Sequence, residues 1–192
     1  MAKTPLTEWL TIASCNGFSK LGLSQPHLFD RQFFHDFFKL IGYINKEKLR
    51  GYDPYDALNS TYLKNSRNRF INLFFTTLLR HSPVNLRKFL RVRRGVNPKS
   101  AGLILSAYCK LVETGIFKNV EYADSLFNWI KRNSCKNYSG LCWGYNFPWQ
   151  NYNRLLPANT PTIVNTSFIG HSFVDLFEIN KNPEILDAAE SC

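Results

Sequence analysis

Five of the chain's nine prolines punctuate it after a residue that caps helices, at Asp53-Pro54, Ser82-Pro83, Asn97-Pro98, Thr160-Pro161 and Asn182-Pro183. A short polar side chain at the cap position takes up a free backbone N–H, and proline suits the first helical position, where no N–H is needed. Apolar residues at helical spacing lie between these breaks. Leu28, Phe29, Phe33, Phe34, Phe37, Phe38, Leu40 and Ile41 predict an amphipathic helix of about 16 residues ending near Gly42. Phe70, Ile71, Leu73, Phe74, Leu78 and Leu79 supply the stripe of a helix over 63–80. Further helices are expected from Ser82 to about Arg93, from Asn97 to Gly115, from Val120 to Arg132, from Thr160 to about Glu178, and from Glu184 to Cys192. Trp9, Leu10 and Ile12 suggest a short one near the start. No segment alternates with period two between hairpin turns. The chain therefore reads as all-α, with seven or eight helices in one domain over residues 1–192.

Several classes of function are excluded or disfavoured at this level. No apolar run approaches the roughly 18 residues of a membrane span, and the N-terminus has no continuous apolar stretch of a signal peptide. The five cysteines, at 15, 109, 135, 142 and 192, form no CxxC pair. The four histidines form no HxxxH or HxH pattern, so no metal is expected. Reduced thiols in a cytoplasmic protein fit this cysteine usage. There is no P-loop, GxGxxG, GxSxG or HExxH, and no cofactor is implied. The formal net charge of +10 is concentrated early: residues 1–100 hold 17 Lys and Arg against 6 Asp and Glu, and residues 101–192 hold 7 against 8. The densest patch is Leu86–Gly95, "LRKFLRVRRG". It could contact an anionic polymer. The plainer reading is a solvated face with arginine stems lying over apolar neighbours. No nucleic-acid motif accompanies it.

One connection is anomalous. Residues 133–160 lack helical periodicity, and a loop that long inside a compact domain is either functional or disordered. Its centre, Gly140–Gln150, reads "GLCWGYNFPWQ", with two of the four Trp residues. Such aromatic content opposes disorder. The alternatives are a packed structural turn and the wall of a binding site.

The sequence "FNWIKRNS", then "GLCWGYNFPWQ", then "TPTIVNTSFIGHSFVDLFE" and "NPEILDAAES", with "GYDPYDALNS" upstream, resembles α/α-toroid proteins found with polysaccharide-assembly genes. These are similar to six-hairpin glycosidases and polysaccharide lyases. The resemblance covers much of the chain. It implies helical hairpins arranged as an inner and an outer ring, and a carbohydrate-directed role: binding or processing a polysaccharide or its precursor, by hydrolase- or lyase-type chemistry if catalytic. A closed ring needs roughly twice this length. The chain is therefore expected to be a truncated N-terminal part, or to take further hairpins from another chain or by self-association.

In a toroid the inner-helix N-termini and the loops before them face the cavity. That would bring Trp143, Tyr145, Asn146, Phe147, Trp149 and Gln150 to the cavity mouth. Aromatic faces there could stack on sugar rings while the amides hydrogen-bond hydroxyls. Arg154 and Asn165 could hold an anionic sugar. The 133–160 loop contains no Asp or Glu, so acid–base candidates lie elsewhere. Asp53 and Asp56 are three residues apart and would project together from a first helical turn; helix capping is the competing role. His171 and Asp175 share a helix face at i, i+4, which would let the acid orient the base. A satisfied core histidine is the plainer alternative. The rival to the whole reading is a non-enzymatic scaffold whose aromatics are core.

Overall fold

The structure is a computed structural model and describes residues 31–192; the expected short helix around Trp9 lies outside them. The chain divides into two compact units, Met1–Lys48 and Leu49–Cys192. In the first unit, α1 spans Arg31–Lys46. It runs through Gly42 instead of stopping there.

The second unit opens with the short 3-10 helix Asp56–Asn59, followed by α2 (Arg69–His81), α3 (Pro98–Glu113) and α4 (Glu121–Arg132). A two-stranded antiparallel ribbon follows, pairing β1 (Trp149–Gln150) with β2 (Leu155–Leu156). Helices α5 (Ile163–Asn180) and α6 (Pro183–Glu190) complete the chain. The described residues are thus mostly helical.

The caps explain most boundaries. Asn68 accepts from the Phe70 and Ile71 N–H groups, so α2 starts six residues later than the stripe suggests. Asn97 accepts from Lys99 N, and Asn182 from Glu184 N, each followed by proline at the first helical position. Thr162, rather than Thr160, caps α5 by accepting from Asn165 N. The expected helix from Ser82 to Arg93 does not form. Ser82 bonds within its own turn, donating to Val84 O and accepting from Val84 N. Residues 86–92 make tight turns with Arg91 at φ 49°. Leu86, Leu90 and Val92 still reach the core, against Ala57 and Leu79.

The stripe read for α2 is also displaced. Its buried residues are Asn72, Thr76 and Leu79, while Phe70 and Phe74 are 74% and 62% exposed. The polar pair is partly accommodated by bonding: Thr76 Oγ1 donates to Asn72 O at 2.8 Å, and Asn72 Nδ2 reaches Ser66 O and Gln150 Oε1 at 3.3 and 3.4 Å, while Asn72 Oδ1 has no hydrogen-bond partner among the described residues.

Four helices build the main core. Helices α3 and α5 form the most extensive helix packing among the described residues. Gly102 lies against Ile169 and Ser172, and one turn further along both helices Ser106 bonds to Asp175. The pairs advance together, so α3 and α5 run parallel. Helix α4 runs the other way along α5: Phe127 meets Phe173 edge-on at 4.9 Å, and Asp124 lies beside Asn180. Helix α6 also returns against α5, bringing Cys192 beside Gly170. The N-termini of α3 and α5 consequently lie at one end.

Candidate functional site

The N-terminal end of α3 is where separate parts of the sequence meet. The chain at Gly51 pairs with Gly95 through reciprocal backbone hydrogen bonds of 2.9 and 3.1 Å. This holds the Tyr52–Asp56 turn beside the α3 cap. Across from it comes the aromatic loop, anchored by the bridge between Gly144 and Pro161 and by Asn159 N donating to Tyr145 O at 2.7 Å. Asn146 lies directly over Gly95, where any Cβ would strike its Nδ2. Between these parts is a pocket of about 40 Å³. Its wall includes Asp53, Asp56, Asn97, Ser100, Asn146 and Phe147.

The two carboxylates have different surroundings. Asp56 is 2% exposed; its Oδ1 accepts from Arg87 Nε at 3.0 Å, and its Oδ2 accepts from the Asp53 N–H at 3.0 Å. Burial lifts its pKa above the usual carboxylate range, against the opposing effects of that N–H and of the guanidinium. Arg87 also donates through Nη2 to Asp53 O at 2.9 Å, so the ion pair clamps the turn. Asp53 is less buried, and both its oxygens accept from neutral donors: Tyr55 N and Asn97 Nδ2, each at 3.0 Å. Tyr145 stands close enough to feel that charge. Burial, then Asp53, then Tyr55 raise the pKa of its phenol.

The loop aromatics separate into two groups. Tyr145 is the centre of one, with Phe147 at 5.3 Å and Trp149 edge-on at 5.7 Å. Tyr145 and Trp149 are half-buried, and Phe147 is 3% exposed at the pocket wall. Trp143 belongs to the core and offers no stacking face. It is fully buried, donates through Nε1 to Ile130 O at 2.9 Å and packs edge-on to Phe173. Gln150 is also turned inward, to Asn72 and to Asn151 O. Arg154 sits on the exposed tip of the β1–β2 ribbon, away from the pocket wall. Asn165 is buried under the first turn of α5, its side-chain oxygen and nitrogen both without a hydrogen-bond partner among the described residues.

His171 lies elsewhere. It is exposed on an open groove between α5 and α6 that shares no wall residue with the pocket. The expected His171–Asp175 pair is not made. Asp175 accepts from Ser106 Oγ and lies 3.7 Å from Lys110 Nζ. The side chain that packs beside α3 is the acid, and the histidine points away.

Sequence reasoning missed the pocket roles of Tyr52, Asn59, Asn97 and Ser100. Asn97 carried a signal as a cap, and its second function uses the amide nitrogen that capping leaves free. Arg87 was legible only as part of a basic run. No group of three or more His, Cys, Asp or Glu among the described residues is arranged to hold a metal ion. No described helix is long and apolar enough to cross a membrane. No family model matches the chain, and comparison with curated proteins and with solved structures returns no match either.

Proposed function

We propose that this is a carbohydrate-directed protein of α/α-toroid type, which binds or processes a polysaccharide or its precursor; the pocket at the N-terminal end of α3, at about 40 Å³, admits a single hydroxyl-sized group of such a ligand while the rest lies outside it. The observation that carries the reading is the convergence on one pocket of Asp53 with Asn146 and Phe147, more than 90 residues apart in sequence. A carboxylate, several amides, a hydroxyl and an aromatic wall make a mostly polar lining with directional partners for hydroxyl groups. The parallel packing of α3 and α5, with α4 and α6 returning against α5, supports the toroid arrangement.

Binding is favoured over catalysis. Asp56 is committed to Arg87, and His171 occupies another groove, so the pocket presents one available carboxylate, Asp53. Hydrolysis by paired carboxyls needs two. The complete burial of Trp143 favours the scaffold alternative for that residue, but Tyr145 and Trp149 keep exposed area.

Saturation-transfer NMR with a panel of neutral and acidic oligosaccharides tests this. At least one member is expected to bind, and Asn146→Ala is expected to weaken it about tenfold, the effect of one lost hydrogen bond to a polar ligand. Absence of transfer from every member, in a protein with cooperative thermal unfolding, removes the reading. Retained affinity in Asn146→Ala moves the ligand to another surface.

A further inference from the structure

Three of the four cysteines of the described residues gather at one place, the start of the aromatic loop. Cys135 N donates to Cys142 O at 2.8 Å, which closes residues 136–141 into a small exposed lobe. The two side chains approach closely enough that the Cys135 sulfur acts on the Cys142 thiol by charge and by a hydrogen-bonding contact. Cys192 is brought near by the chain end: Leu141 N donates to Ser191 O at 2.8 Å, and Cys142 and Cys192 line the same open groove. Cys109, by contrast, is 1% exposed inside α3, and burial raises its thiol pKa to about 12.

We propose that Cys135 and Cys142 form a reversible disulfide when the protein meets a peroxide. The Cys135 N–Cys142 O hydrogen bond of 2.8 Å brings the two backbones together, and the two sulfurs are near enough to interact, the proximity a disulfide requires. The sulfur of Cys135, as thiolate, attacks one peroxide oxygen; the O–O bond breaks and hydroxide leaves, giving a sulfenic acid. The sulfur of Cys142 then attacks the oxidised sulfur; the S–S bond forms, the S–O bond breaks and water leaves with the Cys142 proton. The oxidant is the peroxide, reduced to water. Burial, with Cys135 beside it, raises the Cys142 thiol pKa and disfavours its thiolate, so the first attack on peroxide is not assigned to Cys142.

The bond would be felt in the loop. Cys135 donates its S–H to Asn159 O at 2.9 Å, and Asn159 N in turn donates to Tyr145 O. Oxidation removes the first donor while leaving the second hydrogen bond to hold Tyr145 alone. Cys192 lies on the other side, with its S–H directed to Ala188 O and its thiol raised by burial to about 11. It is the less ready partner.

The folded chain treated with hydrogen peroxide, alkylated without reduction, digested and mapped by mass spectrometry decides the matter. The expected product is a cross-linked Cys135–Cys142 peptide, lighter by two hydrogens, absent from Cys135→Ser and restored to free thiols by dithiothreitol. A Cys142–Cys192 bridge, or alkylation of both Cys135 and Cys142 after peroxide, overturns the assignment. Because Cys135→Ser could perturb the loop, Cys192→Ser is run alongside. It is expected to keep the cross-link, and its loss there also overturns the proposal.

Discussion

At the scale of single residues, two glycines show how the neighbour determines the cost of an added methyl group. A Cβ on Gly95 would fall 2.2 Å from Asn146 Nδ2, the end of a flexible side chain, whereas on Gly144 it would fall 2.0 Å from the backbone carbonyl of Thr160. Gly95→Ala is therefore expected to cost under about 1 kcal/mol in urea unfolding while displacing Asn146 from the pocket. Gly144→Ala is expected to cost about 3 kcal/mol or more, because backbone held by the Gly144–Pro161 bridge has to move. Equal costs would show that Asn146 is fixed as firmly as backbone. Asp56 gives a pH signature. Its folded pKa is raised above the ordinary 3.8, so the folded state binds its proton more tightly than the unfolded chain does. The resulting stability is fully present below pH 3.8 and is lost as pH rises through the folded value. The stability of wild type relative to Asp56→Asn should thus be highest in acid and decline toward neutrality, read from urea midpoints across pH. Arg87→Met, which leaves the carboxylate buried without its cation, should cost about 3 kcal/mol at neutral pH.

At the scale of elements, helix α3 depends on one side chain at its start. Asn97 caps Lys99 N through Oδ1 and holds Asp53 through Nδ2. Asn97→Ala is expected to lower stability by about 1–2 kcal/mol and to release the Asp53 carboxylate. A change confined to a few tenths, by the same unfolding measurement, would mean that water replaces both bonds. This element and α6 were readable in advance because cap and proline are adjacent, and their signal is local. The turns over 83–92 were not readable. The apolar residues Leu86, Leu90 and Val92 fit a helix as well as they fit successive turns, and the choice is made by Ser60, which donates to Leu90 O and bridges to Val92. The polar face of α2 was hidden for a similar reason: Asn72 is tolerated inside because Ser66 and Gln150 take its amide N–H groups, and Thr76 because its hydroxyl turns back to Asn72 O. In the aromatic loop, composition identified an unusual segment correctly but could not separate Trp143 from Trp149. That distinction is made by Ile130 O, the acceptor that lets the Trp143 indole be buried. The β1–β2 ribbon, two residues per strand, is too short for any alternation to register.

At the scale of the whole molecule, the early half carries the positive charge, and Arg91, Arg93 and Arg94 are exposed around the turn that leads into α3. Exposed charge of one sign attracts polyanions in a manner that salt screens. Retention on heparin should fall steeply with salt and should shift to lower salt when the three arginines are reversed to Glu. Unchanged elution would place the charge effect elsewhere on the chain. The parallel contact of α3 with α5 has a kinetic consequence. Parallel neighbours cannot be joined by a tight turn, so the chain must return along α4 and traverse the long loop before Gly102 can find Ile169. The Ser106–Asp175 bond spans 69 residues of sequence. Loop-closure entropy is spent before that interface returns any stabilisation. The α3–α5 seam is therefore a late event in folding, and during synthesis the emerging chain exposes the apolar flank of α3 until the final quarter of the sequence arrives to cover it.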